Sequence, residues 1–105
     1  MKKVLICCGS GVASSETTAS LFNDQIEDAS LEDELSTEVH PVNEAISIME
    51  SDDSIVAYIG VETPDVVGKC EELNMPHFNM NPYLTFDDDA QEEIFNKIIE
   101  KAGLN

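Results

Sequence analysis

Lys3-Val4-Leu5-Ile6-Cys7-Cys8-Gly9-Ser10-Gly11-Val12-Ala13-Ser14-Ser15 is the stretch on which the reading of this chain turns. Residues 4–7 are a short apolar run behind two lysines, the pattern of a buried strand. Gly9, Ser10 and Gly11 break the run. An amphipathic segment follows, with Val12, Ala19, Phe22, Ile26 and Ala29 at helical spacing and Asp24, Glu27 and Asp28 on other faces.

The alternation continues outward from there. Residues 37–40 predict a second strand, ended by Pro41, and Val42, Ala45, Ile46 and Met49 suggest a short helix. Residues 55–59 make the clearest strand, five apolar residues rich in β-branching. Thr63-Pro64-Asp65 reads as a helix start, with Thr63 as N-cap and Pro64 at the first helical position. Val66, Val67, Cys70 and Leu73 form the expected inner face of that helix. Residues 76–80 predict a fourth strand and residues 81–86 an irregular continuation. Asp87, Asp88 and Asp89 open a last helix, where negative charge complements the helix dipole. Ala90, Ile94, Phe95, Ile98, Ile99 and Ala102 bury it, and Gly103 stops it. Strand and helix alternating four times predict an α/β fold: three layers, with a four-stranded, mainly parallel sheet and helices on both faces. Such sheets bind ligands at the carboxyl ends of their strands, which directs attention to the loop after the first strand.

Composition narrows the function classes. A length of 105 residues suits a single domain, residues 1–105, and 42% apolar content is enough for a packed core. No apolar run approaches the ~18 residues that span a bilayer. The N-terminal apolar run is too short for a secretion signal, so a cytoplasmic location is expected. Twenty-two Asp and Glu against five Lys and no Arg give a formal charge of −17. Nucleic acid is thereby excluded as a partner, because phosphate backbones are bound through Lys and Arg. Cys7, Cys8 and Cys70 form neither an even disulfide set nor a Cys-x-x-Cys pair and read as reduced thiols. No cofactor is expected, and no metal, since His40 and His77 lack ligand partners at motif spacing. Met75, Met80 and Cys70 are expected to pack, whereas Tyr83 and Phe86 are candidates for a docking surface.

Cys8-Gly9-Ser10-Gly11-Val12-Ala13-Ser14-Ser15 has the parts of an anion cradle. Two glycines let backbone N–H groups turn inward, and the N-terminus of a helix follows. Ser10, Ser14 and Ser15 add hydroxyl donors, and no charged residue lies between Val4 and Ser15. A thiol at the rim of such a cradle is expected to be favoured as thiolate, the nucleophilic form. The dinucleotide fingerprint is matched only in part, because Ser14 stands at its last position, and the nucleotide P-loop lacks its Lys. Phosphatase and arsenate-reductase loops place Cys, five residues, Arg, then Ser or Thr. Here the Arg position is Ser14, so the bidentate clamp on a transferring phosphoryl group is absent. Hydrolysis or reduction of that type is therefore the weaker reading, and a protein that holds phosphate on Cys8 and passes it on the stronger. A non-catalytic anion-binding regulatory domain is a third.

The chain resembles the IIB component of the bacterial sugar phosphotransferase system, of the galactitol-type group with relatives in the lactose and ascorbate groups. The opening residues 3–15 carry most of the likeness. Val42-Asn43-Glu44, Met75-Pro76-His77-Phe78-Asn79 and Pro82-Tyr83-Leu84-Thr85 are similar to further family segments. The resemblance implies a phosphatase-loop-like fold and a phosphoryl carrier. A phosphohistidine on the IIA component would charge Cys8, with Gly9, Ser10, Gly11, Val12, Ala13 and Ser14 binding the phosphoryl oxygens. Cys8 would then pass the group to a sugar held by the membrane component IIC. Met80, Phe86 and Asp88 stand where the family often has glycines.

Overall fold

The structure, a computed structural model, describes residues 1–9 and 13–104. Its elements in chain order are β1 (Lys2–Cys8), α1 (Ala13–Asp28), β2 (Leu35–Pro41), a 3₁₀ turn (Val42–Glu44), α2 (Ala45–Ser51), β3 (Ile55–Gly60), α3 (Pro64–Glu72), β4 (His77–Phe78), α4 (Asn81–Leu84) and α5 (Asp88–Ala102). The strands form one sheet in the order β2-β1-β3-β4, and every pairing is parallel. The α/β fold with a four-stranded sheet, expected above as mainly parallel, is thus wholly parallel.

β1 is central, which is why residues 4–8 are buried without interruption rather than alternately. Side chains along a strand still alternate between faces. Val4, Ile6 and Cys8 pack with Ala19, Phe22 and Ile26 of α1, Tyr83 of α4, and Ile94, Phe95 and Ile98 of α5. Leu5 and Cys7 pack with Ala45 and Met49 of α2 and Val66 and Cys70 of α3. Helices therefore cover both faces, and the two adjacent cysteines belong to different cores.

β1 and β3 approach closely at their carboxyl ends, where Cys7 pairs with Gly60. A Cβ on Gly60 would sit 2.1 Å from the Cys7 carbonyl oxygen. Only a residue without a side chain fits there.

Three expectations are corrected. β4 is two residues long, not five, because Asn79 Oδ1 accepts from the Asn81 backbone N–H at 2.8 Å and turns the chain. Residues 81–86, expected to be irregular, begin with the helix α4, started with Pro82 in its first turn. Ala29 and Leu73, counted on buried faces, lie beyond the ends of α1 and α3 and are exposed. The caps hold as expected: Thr63 Oγ1 accepts from Val66 N–H, and Asp87 Oδ1 from Ala90 N–H.

Helices α1, α3, α4 and α5 end in one kind of closure, in which an N–H reaches five residues back. The bonds are Leu31 to Ile26, Met75 to Cys70, Asp87 to Pro82 and Leu104 to Ile99, at 2.8–3.0 Å. The residue before each donor is left-handed: Ser30, Asn74, Phe86 and Gly103, with φ of 58°, 55°, 56° and 75°. Small or polar residues take this conformation readily, whereas a phenylalanine costs about 1–2 kcal/mol there.

Candidate functional site

The carboxyl ends of β1 and β3 and the start of α4 enclose a cleft of about 510 Å³. It is lined by Cys8, Gly9 and Ser14, by Gly60, Val61 and Glu62 after β3, and by Asn79, Met80, Asn81 and Leu84. This is the end of a parallel sheet at which ligands are expected. Cys8, Gly9 and Ser14 are thus brought to one cavity, and Ala13 begins α1. Ser10, Gly11 and Val12 lie outside the described residues.

Cys8 closes β1 and is 6% exposed. The buried Ser15, in the first turn of α1, donates its hydroxyl to Cys8 Sγ at 3.2 Å. Ser14, one residue earlier, faces the cleft and is exposed. The sequence offers both hydroxyls as donors, and the family resemblance places only Ser14 on the phosphoryl oxygens. The helical turn assigns the sulfur contact to Ser15.

Cys7 has the opposite environment. It is fully buried among Ala45, Met49, Tyr58, Val66 and Cys70. Burial, the neighbouring Cys8 thiol and Glu44 push its pKa up to about 12, against a backbone bond with His40 that favours the thiolate. At neutral pH it is a protonated core thiol. Cys70, raised to about 11 mainly by burial, is another.

Glu62, Asn79 and Asn81 were missed as cleft residues. Glu62 Oε2 lies 2.6 Å from His77 Nδ1, so the carboxylate is tied toward β4 and the His77 nitrogen facing it carries a proton. Tyr58 Oη donates to the Val61 carbonyl at 2.6 Å and pins the chain as it leaves β3. The only signal for these residues was their place just after strands three and four.

None of the five lysines lines the cleft. Lys3 bridges Glu38 and Asp52, Lys69 bridges Glu50 and Glu72, and Lys97 pairs with Glu93. Lys2 donates to the Ala102 carbonyl. Lys101 borders a larger depression of about 580 Å³ where the α3–β4 connection meets α5, and that depression holds none of the predicted site residues. His40 lies 3.7 Å from Glu38 and 3.5 Å from Glu44. Among the described residues, no group of three or more His, Cys, Asp or Glu is arranged to hold a metal ion. No helix among them is long and apolar enough to cross a membrane.

Tyr83 is not a docking residue. It is fully buried against Phe22, with ring centroids 6.2 Å apart, and its hydroxyl donates to Gln25 Oε1 at 2.7 Å. Gln25 Nε2 donates to the Gln91 carbonyl and Gln91 Nε2 to the Pro82 carbonyl, so this network fastens α4 to α1 and α5. Phe86, by contrast, is 67% exposed. No family model, curated protein or solved structure matches the chain.

Proposed function

We propose that this protein is a phosphoryl carrier, a IIB-like component of a bacterial sugar phosphotransferase system of the galactitol type. It accepts phosphate from a IIA phosphohistidine onto Cys8 and passes it to a sugar presented by the membrane component IIC. It works in the cytoplasm and meets the membrane only through IIC. The carrying observation is the contrast between neighbouring thiols: Cys7 is sealed and protonated, while Cys8 lies at the floor of an open cleft with a serine hydroxyl on its sulfur.

The chemistry is two displacements at phosphorus. Cys8 sulfur attacks, an S–P bond forms, the N–P bond to the donor histidine breaks, and the proton given up by the thiol ends on the released imidazole nitrogen. A sugar hydroxyl oxygen then attacks, an O–P bond forms, the S–P bond breaks, and the hydroxyl proton departs to solvent or a base. Ser14, which lines the cleft, supplies a neutral hydroxyl donor to the phosphoryl oxygens, and the family resemblance gives the rest of Gly9–Ser14 the same role. The cleft lacks a cationic side chain, which favours carriage over hydrolysis. A group held by neutral donors alone keeps its tendency to move on.

Incubation with phosphorylated IIA tests the proposal. Phosphate mapped to Cys8 by mass spectrometry, and lost in Cys8→Ser, supports it. Free inorganic phosphate released in step with Cys8 turnover would favour the phosphatase-like reading. No covalent phosphate and no release would leave an anion-binding regulatory module.

A further inference from the structure

Phe86 occupies the left-handed position that closes α4, where Ser30, Asn74 and Gly103 serve α1, α3 and α5. In those three closures the following residue is apolar and at least half-buried: Leu31, Met75 and Leu104. After Phe86 comes Asp87, which is committed to capping α5. The Phe86 ring therefore gains no burial that would offset its backbone conformation, and it stands 67% exposed. Leu84, 37% exposed, is its neighbour across Thr85 and lines the Cys8 cleft. Phe86 itself borders a groove of about 410 Å³ with Glu16, Thr17, Ser20 and Leu21 of α1.

We infer that Leu84 and Phe86 form an apolar ridge that seats the phosphoryl-donor protein beside Cys8, and that this donor presents an apolar patch ringed by Lys and Arg. The inference rests on the phosphoryl-carrier reading. The charge around the ridge selects the partner: Glu16, Asp87, Asp88 and Asp89 are exposed about it, and no lysine lines the cleft or the groove. An apolar centre within a rim of one sign matches an apolar centre within a rim of the other. A second copy of this chain, itself carrying −17, is the wrong occupant.

Two phosphoryl donors separate docking from chemistry. Phosphoramidate is a small N–P donor that needs only the cleft, whereas a IIA protein phosphorylated on histidine must also dock. Charging of Cys8 is followed by mass spectrometry in the wild type, Phe86→Gly and Phe86→Ala. The expected result is a tenfold or greater loss of kcat/KM for the protein donor in both variants, with phosphoramidate rates within twofold of one another. The thermal midpoint of Phe86→Gly should not fall, because glycine takes the left-handed conformation freely. The wild-type rate with the protein donor should decline with added salt. Equal protein-donor rates in all three proteins, or a rate that climbs with salt, would overturn the docking ridge while leaving the carrier reading in place. Failure of the wild type to take phosphate from either donor would overturn both.

Discussion

Ser15 Oγ and Cys8 Sγ lie 3.2 Å apart, joined by a hydrogen bond from the start of α1 to the end of β1. The bond fixes the sulfur where the last strand residue meets the first helical turn. A hydroxyl donor binds an anionic sulfur more strongly than a neutral one. Ser15→Ala should therefore slow reaction at Cys8 by about five- to tenfold, the equivalent of about 1–1.4 kcal/mol. Iodoacetamide alkylation at neutral pH, with the modified residue mapped by mass spectrometry, measures it. An unchanged rate would mean that the serine only packs.

The buried thiols predict loss of stability in alkali. An unfolded cysteine ionises near ~8.5, whereas folded Cys7 and Cys70 hold their protons to about 12 and about 11. Below the unfolded value both states are protonated and stability is complete. Above it the unfolded chain releases protons that the folded chain retains, so each thiol removes about 1.4 kcal/mol per pH unit. The decline should start near pH 9, and Cys7→Ala should roughly halve its slope between pH 9 and 10. Urea midpoints measured across that range decide it, and parallel curves for the two proteins would refute the assignment.

Residues 4–7 and 55–59 were legible as strands because a parallel sheet covered on both faces makes continuous apolar runs. The last helix was legible from its cap, its acidic first turn and its apolar spacing. The region after β4 was not, since Asn79 turns the chain with a side-chain hydrogen bond that apolar patterning does not record. At the site, Cys8 could be singled out by its place before two glycines. Glu62 follows β3 whereas Asn79 and Asn81 follow β4, and only the order β2-β1-β3-β4 gathers them around the thiol. Tyr83 and Phe86 look alike in sequence. The Gln25–Gln91 network buries one, and the closure of α4 exposes the other.

Two glycines should respond oppositely to the same substitution. A Cβ on Gly60 would collide with the Cys7 carbonyl, and backbone cannot yield as a side-chain tip can. Gly60→Ala should cost about 3 kcal/mol or more and disturb the sheet end that carries Cys8. A Cβ on Gly68, inside α3, meets nothing within 4 Å. Gly68→Ala should stabilise by about 0.5–1 kcal/mol through helix propensity. Thermal melts of the two variants test the pair, and Gly60→Ala folding as stably as the wild type would contradict the close approach of β1 and β3.

Glu62 brings a negative charge to the cleft that is proposed to receive a phosphoryl group, and His77 draws its carboxylate toward β4. Like charges a few ångströms apart near a protein surface repel by about 1 kcal/mol or more, less where water and salt screen them. Glu62→Gln removes the charge and should quicken charging of Cys8 by phosphoramidate about two- to fivefold at low salt. His77→Ala frees the carboxylate to turn into the cleft and should slow the same reaction. The double variant should match Glu62→Gln, because a histidine that acts only by restraining this carboxylate has no effect once the charge is gone. Measuring the four proteins with phosphoramidate closes the cycle. Independent, additive effects would show that His77 acts on the cleft by another route, and a slower Glu62→Gln would make the carboxylate a participant in the transfer rather than an obstacle to it.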